Sequence, residues 1–142
     1  MTTNQCAHLI AGGFPPGSAA GHDMDYARLQ LLQKLQFEDQ LTVTVANDFQ
    51  DIERWLPGTD FLLTYVAGPY PEGAGNEALQ TWLEQGGRWF ALHGTSGGKA
   101  VKTEHEGRPV KKMIKAEHHR TLGCFFLNHP PLSEFQVSVT GD

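Results

Sequence analysis

The chain reads as an α/β domain built on a mostly parallel, doubly wound sheet. Three observations predict this. The runs Phe61-Leu62-Leu63-Thr64-Tyr65-Val66 and Trp89-Phe90-Ala91-Leu92 are almost wholly apolar, without polar alternation. Such runs mark central strands covered by helices on both faces. Helix-like and strand-like segments alternate along the chain, which calls for right-handed crossovers and a parallel sheet. Both apolar runs also break into loops rich in Gly or Pro, the kind of place where α/β sheets bind ligands.

In order, the first strand is Ala7-His8-Leu9-Ile10-Ala11, closed by Gly12-Gly13. These two glycines carry neither P-loop nor dinucleotide-binding spacing, so they do not indicate a phosphate cradle. A loop of Pro, Gly and small residues follows to His22. Asp23 or Asp25 caps the next helix, whose apolar face is Leu29, Leu31, Leu32 and Leu35. Gln40–Ala46 alternates with period two and is placed at a sheet edge, with one wetter face. Phe49–Leu56 is a short helix stopped by Pro57-Gly58. After the Phe61–Val66 strand, Ala67-Gly68-Pro69-Tyr70-Pro71 must be a loop. Asn76 caps a helix carrying Leu79, Trp82 and Leu83, with Gly86 as its left-handed exit. Trp89–Leu92 then runs into His93 and a turn over Gly94–Gly98. Residues 99–117 are polar without a clear period, 118–123 form a short helix or turn, and Phe135, Val137 and Val139 alternate as one more strand. The edge character of the second strand implies order 2-1-3-4, as in flavodoxin-like folds. The loops around His22, Gly68–Tyr70 and His93 then share one rim.

Composition bounds the function. The chain has 142 residues, 39% hydrophobic and 19% charged, with a net charge of -5, which describes one ordinary soluble domain. No basic stripe is available for nucleic acid. Lys111, Lys112 and Lys115 lie among Glu104, Glu106 and Glu117 and read as a solvated face. No apolar stretch approaches the roughly 20 residues that cross a bilayer. The start lacks a signal-peptide pattern, and Cys6 and Cys124 read as buried thiols of a reducing compartment. The expectation is a cytoplasmic protein with no membrane partner.

Seven histidines is a high count for this length. His22 opens the first helix beside Asp23, His93 follows the fourth strand, and His118, His119 and His129 flank the Leu122–Asn128 stretch. Imidazoles with a carboxylate suit zinc or another divalent metal, so His22, His93, His118, His119 and His129 are candidate ligands. Without a metal, His93 suits general acid–base work, with Asp23 as its catalytic companion. Tyr70, Gly94, Thr95 and Ser96 are placed to bind a ligand. Gly94-Thr95-Ser96-Gly97-Gly98 matches G-x-S-x-G, but a serine hydrolase of the corresponding fold needs a longer chain. His8 and His105 read as structural or solvent-facing.

The run Gly86-Gly87-Arg88-Trp89-Phe90-Ala91-Leu92-His93 resembles the glycine-rich, apolar, histidine-terminated signature of the trehalose-utilisation (ThuA-like) family. His22-Asp23 after the first strand is similar too. So is Thr121-Leu122-Gly123-Cys124-Phe125-Phe126-Leu127-Asn128-His129-Pro130-Pro131, with Phe135–Val139 behind it. The resemblance covers nearly the whole chain and implies the three-layer, flavodoxin-like fold of class I glutamine amidotransferases. It also implies a role in the metabolism of trehalose or related keto sugars. His93 stands where those amidotransferases carry a nucleophilic cysteine, which argues against glutamine hydrolysis. The family's domain continues further, so residues 1–142 are expected to be a single ThuA-like domain shortened at its carboxyl end. Such shortening would leave sheet surface for a homo-oligomer to cover. Two functional readings follow: a sugar-modifying enzyme with a His-rich rim, or a non-catalytic binding or assembly module on the same fold.

Overall fold

A computed structural model describes residues 4–14, 22–127 and 133–141 of the chain. Four strands form a parallel sheet: β1 (Gln5–Gly12), β2 (Leu41–Ala46), β3 (Phe61–Val66) and β4 (Arg88–Leu92). Their order is β2-β1-β3-β4, as the sequence predicts. The register pairs Leu9 with Leu63 and Leu63 with Phe90, so the two apolar runs are adjacent strands.

Helices cover both faces. On one lies α1 (Met24–Leu35), whose Leu31, Leu32 and Leu35 pack on Leu9, Ala11 and Leu63. On the other lie α2 (Ile52–Trp55) and α3 (Ala74–Glu84). There Ile52, Leu56, Leu79 and Trp82 join Ile10, Leu62 and Val66 in the larger core. Strands β1 and β3 are therefore buried on both sides. β2 is an edge strand with an exposed Val45.

Several expectations are corrected. β4 is the opposite edge of the sheet, and Phe90 on it is 55% exposed. On the face that α1 covers over β1 and β3, Leu92 still packs against Leu9, Ala11 and Leu63, but Phe90 is left open, so the run is not covered on both faces throughout. Of the two expected caps of α1, Asp23 takes the position, and its Oδ1 accepts from the Tyr26 amide at 2.8 Å. Asn76 lies inside α3, whose N-cap is Gly73. The cap is supplied from far along the chain, because Glu117 Oε2 accepts the Gly73 N–H at 2.9 Å.

Residues 99–117 hold an antiparallel hairpin of β5 (Lys99–His105) and β6 (Arg108–Ile114). Its turn residues Glu106 and Gly107 both have left-handed φ, 51° and 74°. This is the two-residue hairpin geometry that matches strand twist. α4 (His118–Leu122) follows and ends at Gly123. Residues 133–141 adopt no regular structure, so the strand expected at Phe135–Val139 is not formed. Cys124 is exposed rather than buried, and Cys6 is partly buried. Among the described residues no helix is long and apolar enough to cross a membrane.

Candidate functional site

The carboxyl ends of the parallel strands form the rim of interest. β4 leads directly into a single tight helical turn, His93–Ser96. Gly94 has to be glycine here. A β-carbon would stand 2.5 Å from the Val66 carbonyl oxygen, a backbone atom that cannot yield. The same close approach holds the loop after β1, where a β-carbon on Gly13 would meet the Gly68 carbonyl oxygen at 2.2 Å. The paired glycines thus allow loop to pack on loop.

His93 emerges from this turn exposed and in the left-handed region, with φ 46°. Its Nε2 lies 2.7 Å from His22 Nε2, one ring donating and the other accepting. The His93 ring also stacks on Tyr65, at a centroid distance of 5.5 Å, and Phe14 stacks on His22 at 5.7 Å. Asp23 sits beside His22, and its Oδ1 is engaged in capping α1, which fixes where His22 enters.

His118 and His119 take a different position, beneath the turn. Both are buried. His118 Nε2–H donates to the Thr95 carbonyl at 2.9 Å. His119 Nε2–H is shared between the carbonyls of Ser96 and Gly97, at 3.1 and 2.9 Å, while its Nδ1 accepts the Ala116 amide at 2.8 Å. The two rings therefore hold three successive carbonyls of the turn. Burial lowers the His118 pKa; its bond to the Thr95 carbonyl opposes this and the neighbouring His119 adds to it. The Tyr70 ring stacks on His118 at 4.4 Å, and its hydroxyl donates to the Gly94 carbonyl at 2.9 Å. Burial raises the Tyr70 pKa, which keeps that hydroxyl a donor.

The remaining expected residues fall into two groups. Tyr70 and Gly94 line a cleft of about 190 Å³ together with His22 and His93. Thr95 is fully buried, and its Oγ1 accepts the Val66 amide at 3.3 Å. Ser96 Oγ donates to the His93 carbonyl at 3.0 Å and braces the turn. His129 lies outside the described residues. Among the described residues no group of three or more His, Cys, Asp or Glu side chains is arranged to hold a metal ion. The structure brings His22 and His93 together, while His118 and His119 face backbone carbonyls.

The cleft has walls that sequence reading missed. Met24, Met113 and Phe126 line it, with Ala67 at its side. Met113 arrives on the unpredicted hairpin. Phe126 is set by its amide, which donates to the Ser96 carbonyl at 2.9 Å. Only its place in the Thr121–Leu127 stretch hinted at a rim role. A larger open depression of about 560 Å³ lies at the opposite end of the sheet, bordered by Gln5, Asp60, Gly87 and Arg88. It gathers no pair of imidazoles and lies away from the strand ends where α/β sheets bind ligands. Comparison with protein families, curated proteins and solved structures finds no match to this chain.

Proposed function

We propose that this chain is a ThuA-like protein on a class I glutamine amidotransferase-like fold, and that it binds a keto sugar in the cleft beside His22 and His93. The observation that carries the reading is the 2.7 Å contact between the two Nε2 atoms at the mouth of that cleft. The paired imidazoles offer a donor and an acceptor nitrogen side by side. A sugar hydroxyl entering between them would receive a hydrogen bond from one ring and give its proton to the other, and a sugar carbonyl would accept from the donor ring alone, which is general acid–base geometry.

The walls suit the same ligand class. Among the described residues lining the cleft there is no Lys, Arg, Asp or Glu. Met24, Met113 and Phe126 present apolar surface to the C–H face of a ring, and the imidazoles and Tyr70 supply polar contacts. An uncharged sugar fits this lining better than a phosphate ester, which would have no cation to meet. The sheet order and the helices on both faces are compatible with the proposed fold.

A metal-assisted version uses the same pair. A shared zinc ion would require the two nitrogens to part to about 3–3.5 Å and a further ligand to join them. The non-catalytic reading keeps the cleft and drops the proton transfer.

The test is imidazole nuclear magnetic resonance on the pure protein, titrated with a keto derivative of trehalose and separately with zinc. Shifts of the His22 and His93 rings with the sugar, lost in His93→Ala, support the reading. Product formation in the same tube separates enzyme from binding module. No shift in either ring with any keto sugar overturns it.

A further inference from the structure

We propose that the ligand of the cleft carries an acidic group beyond its keto ring, and that Lys102 and Lys111 of the hairpin receive that group. The proposal rests on the reading of the cleft as a keto-sugar site and names its ligand more closely. Met113 brings β6 to the wall of the cleft. Side chains of a strand alternate between its faces, so Lys111 shares the face of Met113, about 7 Å further along. Register sets Lys102 directly opposite Lys111, and Ala100 opposite Met113. Leaving the cleft along this face, a ligand passes the small Ala100 and meets two ammonium groups.

The geometry of the ladder holds these two charges together. Counted from the two-residue turn at Glu106-Gly107, Lys102 and Lys111 occupy a non-hydrogen-bonded position, where facing side chains stand closest. Pro109, two residues nearer the turn, fits this phase because it has no N–H to give to β5. Like charges directly opposite one another repel. Both lysines are exposed, and neither has an ion pair among the described residues. An anion set between them would relieve the repulsion and be met by both.

Charge on the hairpin is also sorted by distance from the cleft. Lys99, Lys102, Lys111 and Lys112 lie in the half nearer the cleft, whereas Glu104 and Glu106 lie at the turn or beside it. The chain as a whole has a net charge of -5. A positive end beside the cleft of an acidic protein concentrates anionic ligands there. The cleft lining itself offers no Lys or Arg, so the acid belongs on a second unit of the ligand, outside the ring that His22 and His93 meet. A disaccharide with a keto ring in the cleft and a carboxylate or phosphate on its other ring has this form.

The experiment is calorimetric titration of the full chain with three probes. They are a keto derivative of trehalose, the same sugar with its other ring oxidised to a uronate, and the same sugar with its other ring phosphorylated. At low salt a charged probe should bind about tenfold more tightly than the neutral one, and the gain should vanish at high salt. Whichever charged probe gains more identifies the group. The double variant Lys102→Gln, Lys111→Gln should lose the gain and bind the neutral sugar as wild type does. If the neutral sugar binds and neither charged probe binds more tightly, the proposal is overturned while the reading of the cleft stands. A gain that survives in the double variant overturns it equally. If none of the three probes binds, the reading of the cleft falls and the proposal falls with it.

Discussion

His118 Nε2 lies 2.9 Å from the Thr95 carbonyl oxygen, and both residues are fully buried. The bond joins α4 to the turn that carries His93. Without it, the buried Thr95 carbonyl would lose this donor. His118→Phe keeps a ring against Tyr70 but removes the donor. It should lower the unfolding free energy by about 1–3 kcal/mol, the cost of an unsatisfied buried acceptor. Urea denaturation checks this, and an unchanged midpoint would show that the bond contributes nothing net.

Acid should weaken the fold through two imidazoles. Burial lowers the pKa of His8 and of His118 from the usual 6.5. His8 Nδ1 meets Thr44 Oγ1 at 2.6 Å, its ring stacks on Trp55, and its buried Nε2 has no protein partner. The sign follows from linkage. Between the lowered folded pKa and the unfolded value, the unfolded chain holds the proton and the native one does not, so stability rises with pH. The contribution is full above about pH 6.5 and is lost as pH falls below that, toward the folded pKa. Melting temperature recorded across this range should fall on the acid side, and His8→Asn should flatten the fall. A melting temperature independent of pH in this window would contradict the linkage.

The sheet was legible because its physics is local. Phe61–Val66 can satisfy its side chains only against other elements, and the strand order followed from the wetter face of Leu41–Ala46; the similar run Trp89–Leu92 misled, because β4 is an edge that leaves Phe90 exposed. The hairpin was not legible for the opposite reason. Lys99–His105 and Arg108–Ile114 bury little on either face, so no alternation marks them, and only Glu106-Gly107 carried a turn signal. At the site, the imidazoles were visible as residue types. A metal ligand and a ring donating to a carbonyl use the same side chain, and only the placement of His118 and His119 under the turn tells them apart. Phe135–Val139 shows the converse: a clear alternation that forms no strand among the described residues.

Glu117 should matter more than its polar surroundings suggest. Its carboxylate accepts the Gly73 amide at 2.9 Å and the Asn76 side-chain amide at 3.3 Å, at the positive end of α3. Thr121 Oγ1 donates to Asn76 Oδ1 at 2.9 Å and completes the link from α4 to α3. Glu117→Ala removes a capping acceptor and a favourable charge, and should cost about 1–2 kcal/mol. Because α4 also carries His118 and His119, His93 amide exchange should accelerate in this variant. A stability loss without faster exchange at the turn would separate α3 capping from the site.

The strongest separation of function from stability comes from His93 itself. It holds φ 46°, a left-handed conformation that costs a residue with a β-carbon about 1–2 kcal/mol relative to glycine. His93→Ala and His93→Gly lose the same imidazole, its contact with His22 and its stacking on Tyr65. They differ in the β-carbon, so the glycine variant should be the more stable, by about 1 kcal/mol. Both should lose the sugar-induced shift of the His22 ring. Denaturation of the two variants side by side, with ligand titration of each, makes the check. If alanine proves as stable as glycine, the turn is not strained at His93. If either variant binds as wild type does, His93 has no part in the site.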